Sequence, residues 1–96
     1  MSRLSLSVVV PTKDRIDDLS LLISSIAEQI TQPDELVIID QSETSSEDQI
    51  YALLRNVRFE VKYIHDVSIG SLVEAKSVGV STSTKDIICF LDDDLL

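Results

Sequence analysis

The 96-residue chain has little of several residue types on which whole classes of protein depend. Its one cysteine, Cys89, cannot form an intramolecular disulfide, which argues against a disulfide-stabilised secreted scaffold. Two glycines and two prolines are too few for a collagenous chain or a turn-rich all-β protein. The single histidine, His65, and the lack of a Cys/His cluster argue against a zinc site.

Long hydrophobic runs are also missing. The longest apolar stretches are four or five residues, whereas a membrane-spanning helix needs about 20. Near the N-terminus the apolar run Val8–Val10 is too short for the core of a signal peptide. These absences favour a cytoplasmic protein.

Basic residues are scarce, and the acidic ones are clustered. Eight Lys and Arg against 17 Asp and Glu give a net charge of −9, which argues against a nucleic-acid partner. Residues 34–50 hold six acids and no base, and residues 86–96 hold four acids and no base. A hydrophobic fraction of 44% nevertheless favours a folded domain over disorder.

Four short apolar segments have the pattern of β-strands. They are Leu4–Val10, Leu36–Ile39, Phe59–Ile64 and Asp86–Leu91. The third alternates polar and apolar residues, which places it near a sheet edge. Helical patterns separate the four segments, so the order predicts an α/β fold: a parallel sheet of about four strands with three crossover helices.

The helices carry start signals of different strength. The first would be capped by Asp14, with an apolar stripe of Leu19, Leu22, Ile23, Ile26, Ala27 and Ile30. The second would be capped by Ser45 with Asp48, with a stripe of Ile50, Leu53, Leu54 and Val57. The third is predicted from about Ser71 to Val80, capped by Ser71 with Glu74.

Charged side chains follow the ends of the predicted strands. Asp40 ends the second strand, and Asp92, Asp93 and Asp94 follow the fourth. Ligands bind at this edge of a parallel sheet. Asp92 and Asp94 would project to one side and share a Mg²⁺ or Mn²⁺ ion able to hold a diphosphate. A solvated acidic loop is the alternative for the aspartates taken alone.

Glycine-rich phosphate loops are absent after the first strand, which excludes the usual dinucleotide and P-loop motifs. A nucleotide could instead be held through the metal at the aspartates, with Lys13, Arg15 or Lys76 supplying additional positive charge. For other conspicuous side chains the structural interpretation is favoured: Cys89 as an inert core residue, His65 as the end of an edge strand, Tyr51 and Tyr63 as packing residues, and Asp66 as an ordinary loop acid.

Three segments together resemble the family 2 glycosyltransferases of the GT-A fold. They are SVVVPTKDR (7–15), DELVIIDQS (34–42) and FLDDD (90–94). The resemblance covers nearly the whole chain. It implies that residues 1–96 are the N-terminal, nucleotide-binding part of a Rossmann-like GT-A domain, truncated after an Asp-x-Asp motif.

The resemblance also implies roles for individual residues. Pro11 and Thr12 would line the nucleotide pocket, Asp40 would contact the base and ribose, and Asp93 would lie near the ribose. Asp92 and Asp94 would bind the metal, and Lys76 matches a basic position in the family's Ala-Arg-Asn-x-Gly segment. Two residues depart from the pattern. Gln41 stands in place of a second base-binding acid, and its amide would still bind the nucleotide by hydrogen-bonding a pyrimidine edge. Lys13 stands where an aromatic residue often stacks.

The implied reaction is metal-dependent transfer of a sugar from a nucleotide-diphosphate donor, UDP- or dTDP-linked, to a saccharide or lipid-linked acceptor hydroxyl, with inversion. The general base would lie beyond Leu96, so no catalytic residue is expected in the chain, which would be inactive alone. The part beyond Leu96 could attach the protein to the inner face of the membrane. Two alternatives stay open: a haloacid dehalogenase-like phosphoryl transferase, and a non-catalytic nucleotide- or metal-binding module.

Overall fold

The computed structural model describes residues 4–29 and 32–91. Strands and helices alternate along it: β1 (Leu6–Thr12), α1 (Ile16–Glu28), β2 (Glu35–Asp40), α2 (Glu47–Leu53), β3 (Glu60–His65), α3 (Leu72–Thr82) and β4 (Ile87–Phe90). All four predicted strands and all three predicted helices are present, with ends shifted by a few residues.

The four strands form one parallel sheet in the order β3-β2-β1-β4. At its centre β1 pairs with β2, from Ser7 opposite Glu35 to Thr12 opposite Asp40. Within the described residues β3 and β4 are the edge strands, as the alternating pattern of β3 predicts. The α/β fold class is therefore confirmed.

Each face of the central strands is covered by a separate helical layer. One core cluster joins alternate residues of β1 and β2 to α1 and α2; its buried members include Val8, Val10, Leu36, Ile38, Leu19, Ile23 and Ile50. The other joins the intervening residues to α3 and the loop before it; it contains Val9, Val37, Ile39, Ile69 and Ala75. Because both faces of β1 and β2 are buried, these strands are apolar almost throughout.

The helix starts differ in part from the predictions. The predicted cap of α3 is confirmed, since Oγ of Ser71 accepts a hydrogen bond from the Glu74 backbone at 3.1 Å. Asp14 does not cap α1: it has a φ of 55°, and Arg15 takes the N-cap position. Asp is among the residues that tolerate this left-handed conformation, which turns the chain out of β1.

The cap and stripe of α2 are also corrected. Ser46, rather than Ser45, is the N-cap residue, and Oγ of Ser45 accepts a hydrogen bond only from the Glu47 backbone at 3.2 Å. Leu53 is 40% exposed, while Ile50 and Leu54 are buried. The helix ends at Leu53, so the predicted stripe continues past the regular helix.

Cys89 is exposed, which contradicts its predicted burial in the core. It lies on β4 opposite Val8, and its neighbours Ile87 and Phe90 are exposed as well. The apolar sequence of β4 indicates burial. Within the described residues, however, α1 and α2 pack over β1 and β2 and do not cover β4 at the edge of the sheet.

A buried ionic network lies at the amino-terminal end of β2. Glu35 is fully buried, and Nζ of Lys62 lies 2.6 Å from Oε2 of Glu35. Oγ of Ser7 and the backbone of Thr84 donate to Oε1 at 2.7 and 3.0 Å. Burial raises the pKa of Glu35, but the hydrogen bonds from Lys62, Ser7 and Thr84, together with the charge of Lys62, outweigh this effect and lower the pKa to about 2. The network joins β1, β2, β3 and the segment before β4.

No helix in residues 4–29 and 32–91 is both long enough and apolar enough to cross a membrane.

Close packing between α3 and β1 requires glycine at position 79. A Cβ atom there would overlap Cγ1 of Val9, a β-branched side chain that is fully buried in the centre of the sheet. At Gly70, just before α3, the nearest atom to an added Cβ is Oε1 of Glu74 at 3.8 Å.

Gly79→Ala is therefore expected to destabilise the fold. Overpacking costs about 1–3 kcal/mol, which exceeds the gain of about 1 kcal/mol from replacing a helical glycine. Urea unfolding measures the difference, with Gly70→Ala as the matched control expected within about 0.5 kcal/mol of wild type. Equal stability of the two variants would show that α3 does not pack this closely on β1.

The Glu35 network predicts a specific pH dependence of stability. The folded pKa of about 2 lies below the ordinary value of 4.5, so the ionised carboxylate stabilises the folded state above about pH 4.5. That contribution is lost as the pH falls toward 2. The difference in unfolding free energy between wild type and Glu35→Gln should be largest at neutral pH, on the order of 3 kcal/mol, and shrink below pH 4.

The exposed Glu28→Gln variant serves as the control for this titration, since it removes an acid that has no part in the network. A wild-type minus Glu35→Gln difference that stays constant from pH 7 to pH 2.5 would contradict the role assigned to Glu35.

Candidate functional site

The carboxyl ends of β1, β2 and β3 meet at one edge of the sheet. Thr12 lies opposite Asp40, and Asp40 lies opposite His65. Thr12 is 5% exposed and Asp40 is 2% exposed. A carboxylate with so little access to water needs hydrogen-bond donors from the protein, and those donors define the site.

Both oxygens of the Asp40 carboxylate accept hydrogen bonds. The backbone of Ser42 donates to Oδ1 at 2.9 Å, and the hydroxyl of Tyr63 donates to Oδ2. The Tyr63 oxygen in turn accepts a hydrogen bond from the Ser46 backbone at 2.9 Å. Burial, together with the hydrogen bond to Asp40, raises the pKa of Tyr63. The carboxylate is thus held in one orientation by neutral donors.

Ser42 connects the loops that follow β1 and β2. Its hydroxyl accepts a hydrogen bond from the Asp14 backbone at 2.7 Å. Its carbonyl oxygen lies 2.6 Å from Nε2 of His65. Together with the bond from its own backbone to Asp40, these contacts fix the β2–α2 loop against the β1–α1 loop.

A cavity of about 470 Å³ opens between these two loops. The residues that line it are Thr12, Asp14, Arg15, Ile16, Leu19, Asp40, Ser42, Glu43, Thr44 and Ser46. Its volume falls within the range of small-molecule sites. Its lining combines the apolar side chains of Ile16 and Leu19 with three acidic residues, several hydroxyl-bearing residues and one arginine, and so can bind a ligand that is part ring and part polar.

Three residues predicted for the site line this cavity: Thr12, Arg15 and Asp40. Pro11 and Lys13 flank Thr12 without lining the cavity; Pro11 is buried and Lys13 exposed. The predicted residues Asp92, Asp93 and Asp94 lie outside the described residues. Within the part of the chain that the structure describes, no group of three His, Cys, Asp or Glu side chains is arranged to hold a metal ion.

Gln41 and Lys76 lie on the other side of the sheet from the cavity. Nε2 of Gln41 donates to the carbonyl oxygens of Ile69 and Ser71, at 3.0 and 3.3 Å. Nζ of Lys76 lies 5.4 Å from the ring centre of Phe90, a cation–π contact.

Sequence reasoning missed the functions of Tyr63 and Ser42. The sequence favours packing for Tyr63, but in the structure it lies opposite Ile38, diagonal to Asp40, on the strand beside it, and its hydroxyl donates to the Asp40 carboxylate. The spacing Asp-x-Ser of residues 40–42 is the local signal for the turn that Asp40 and Ser42 form. For Asp66 the prediction agrees with the structure: its Oδ1 accepts hydrogen bonds from the backbone and hydroxyl of Ser68, which lower its pKa.

Comparison with known proteins gives a consistent result. The family model described as Glycosyl transferase family 2 matches residues 7–96. A Haemophilus influenzae protein described as an uncharacterized glycosyltransferase is 29% identical over 89 residues, which are 93% of this chain and 29% of that protein.

Two solved structures share the fold. Mannosyl-3-phosphoglycerate synthase from Rubrobacter xylanophilus superposes with a TM-score of 0.68 at 20% identity, over 95% of this chain and 31% of that one. A mycobacterial protein superposes with a TM-score of 0.72 at 24% identity, over 97% and 32%. The chain thus spans about a third of the length of each of these proteins.

Tyr63→Phe should loosen the carboxylate and the α2 loop together. It removes the donor to Asp40 and the acceptor of the Ser46 backbone, so we expect a loss of about 1–3 kcal/mol in unfolding free energy and faster hydrogen exchange at the Ser46 amide. Tyr51→Phe, at a position that is 42% exposed, is the matched control. If both variants behave alike, the Tyr63 hydroxyl does not organise the site.

Proposed function

Because the chain belongs to glycosyl transferase family 2, we propose that residues 1–96 form the N-terminal, nucleotide-sugar-binding part of an enzyme that transfers a sugar from a nucleoside-diphosphate donor to an acceptor hydroxyl. The observation that carries the proposal is the buried Asp40 carboxylate at the wall of the cavity. The family match also favours a glycosyltransferase over the phosphoryl-transfer alternative.

Asp40 is suited to recognise a base that offers a donor. An ionised carboxylate only accepts hydrogen bonds, and each oxygen has more than one acceptor site. Ser42 and Tyr63 use one on each oxygen, which leaves acceptor capacity toward the cavity. The ring N3–H of uracil or thymine, or a ribose hydroxyl, can donate to it, whereas the ring N3 of cytosine is itself an acceptor and cytosine can donate only through its exocyclic amino group. The proposed donor is a UDP- or dTDP-sugar, whose base would donate its N3–H to Asp40.

The side chains around Asp40 provide the remaining contacts of the nucleotide. Thr12 lies beside Asp40 across the sheet and presents a hydroxyl. The guanidinium of Arg15, which also lines this cavity, provides positive charge for a phosphate. Lys13 and Lys76 are further candidates for phosphate contact, and Pro11 and Asp93 complete the proposed nucleotide-binding set.

A divalent cation, Mg²⁺ or Mn²⁺, would be held by the carboxylates of Asp92 and Asp94, which are ligands of the kind these ions prefer. When bound it would neutralise the charge that develops on the leaving diphosphate. β4 runs parallel to β1, with Phe90 opposite Val9. Its carboxyl end is therefore at the same edge of the sheet as the ends of β1 and β2, which supports a cation site at that edge.

The acceptor would be a saccharide or a lipid-linked sugar. A base outside residues 1–96 would deprotonate its hydroxyl group, which would attack the sugar carbon of the donor with inversion.

The proposal predicts selective, metal-assisted binding of UDP by the chain. Titration calorimetry should show that UDP and dTDP bind more tightly than CDP and that Mn²⁺ strengthens their binding. Asp40→Asn should weaken UDP binding at least ten-fold, because the amide group presents a donor where the carboxylate only accepts. Asp94→Asn should abolish the strengthening of UDP binding by Mn²⁺ and leave UDP binding in the absence of the metal unchanged.

Glu28→Gln, which removes one negative charge at an exposed position of α1, is the matched control and should bind UDP like the wild type. Circular dichroism verifies that each variant is folded. Equal affinity for CDP and UDP, unchanged binding by Asp40→Asn, or release of inorganic phosphate from a phosphate ester would each contradict the proposed function.

A further inference from the structure

Gln41 joins three segments at the end of β2. Its backbone N–H donates to the carbonyl oxygen of Thr12 at 2.9 Å. Its side-chain Nε2 donates to the carbonyl oxygen of Ile69 at 3.0 Å and to that of Ser71 at 3.3 Å. One residue therefore connects the end of β1, the end of β2 and the start of α3.

The two carbonyl groups that Gln41 binds belong to the segment that determines where α3 begins. Ser71 is the N-cap residue, and its hydroxyl holds the Glu74 backbone. Ile69 is 8% exposed and packs in the core cluster beneath α3. In the first turns of that helix Lys76 lies against the Phe90 ring. A displacement of the Ile69–Ser71 segment would therefore move Lys76 relative to Asp40.

The contact depends on an amide group and not on polarity alone. The NH₂ group of Gln carries two N–H donors and can therefore supply a hydrogen bond to each of the two carbonyl oxygens. An ionised Glu at this position would bring a carboxylate against the same oxygens, so the acid expected from the family pattern does not fit this arrangement. A protonated Glu has one O–H and can restore one of the two bonds.

We propose that Gln41 is a positioning residue of the nucleotide site: it fixes the start of α3, and with it Lys76, relative to Thr12 and Asp40, instead of contacting the base. The assignment rests on the proposed function. It also separates two neighbouring residues by role, since Asp40 faces the cavity while Gln41 reaches the opposite layer of the fold.

The test is the pH dependence of UDP binding by Gln41→Glu, measured by calorimetry as the ratio of its Kd to the wild-type Kd. We expect a ratio of at least ten at pH 8, where the new side chain is ionised. The two carbonyl oxygens that face it disfavour the carboxylate and raise its pKa, so the ratio should fall several-fold toward pH 5 as the side chain is protonated. Taking the ratio at each pH removes titrations common to both proteins, namely those of UDP, Asp40, His65, Asp66 and Glu74.

Two further variants separate this effect from simpler ones. Gln49→Glu adds the same charge at an exposed position of α2 and should keep a ratio near one at both pH values. Gln41→Leu lacks any donor and should keep its raised ratio at both. A Gln41→Glu ratio near one at pH 8, or one that does not fall with pH, would overturn the positioning role.

A readout without ligand distinguishes positioning from contact with the base. In the free protein, hydrogen exchange of the Glu74 amide should be faster in Gln41→Glu than in wild type at pH 8, and the difference should diminish at pH 5. Unchanged exchange combined with weaker UDP binding would indicate direct base contact and overturn the proposal. If wild type itself does not bind UDP, the proposed function fails, and the site role of Gln41 fails with it.

Discussion

The parallel pairing of β1 with β2 is the constraint on which the rest of the structure depends. Both strands are buried on both faces, so a shift of one residue would exchange the side chains of the two core layers. The same register sets Ser7 beside Glu35 at one end and Thr12 beside Asp40 at the other. One pairing therefore positions both the ionic network and the candidate site.

The two buried carboxylates of β2 are stabilised in different ways, and the difference fits their roles. Glu35 lies against the ammonium group of Lys62, which compensates its charge inside the protein. Asp40 accepts hydrogen bonds from a backbone amide and from the hydroxyl of Tyr63. These neutral donors fix the orientation of the carboxylate at the cavity wall. Such an arrangement suits a group that recognises a ligand donor.

The strands, the helices and the Ser71 cap could be predicted because each depends on local periodicity or on a spacing of three residues. Asp40 and Thr12 could be placed at one edge because the ends of parallel strands converge. Tyr63 could not be connected to Asp40 in this way, because their contact depends on the register between β2 and β3. The exposure of Cys89 depends on which helices cover which strand, and a single apolar segment does not encode that.

The different positions of the Asp40 and Gln41 side chains follow from the period of two along a strand. Asp40 continues the series of Leu36 and Ile38, whose side chains face α1 and α2, and so it reaches the cavity. Gln41 continues the series of Val37 and Ile39 and reaches the α3 layer. The two helical layers contact opposite faces of the sheet, so their relative position at the site depends on residues at the strand ends. An adjacent pair at the end of β2, one residue to each layer, joins the cavity to the helix that carries Lys76.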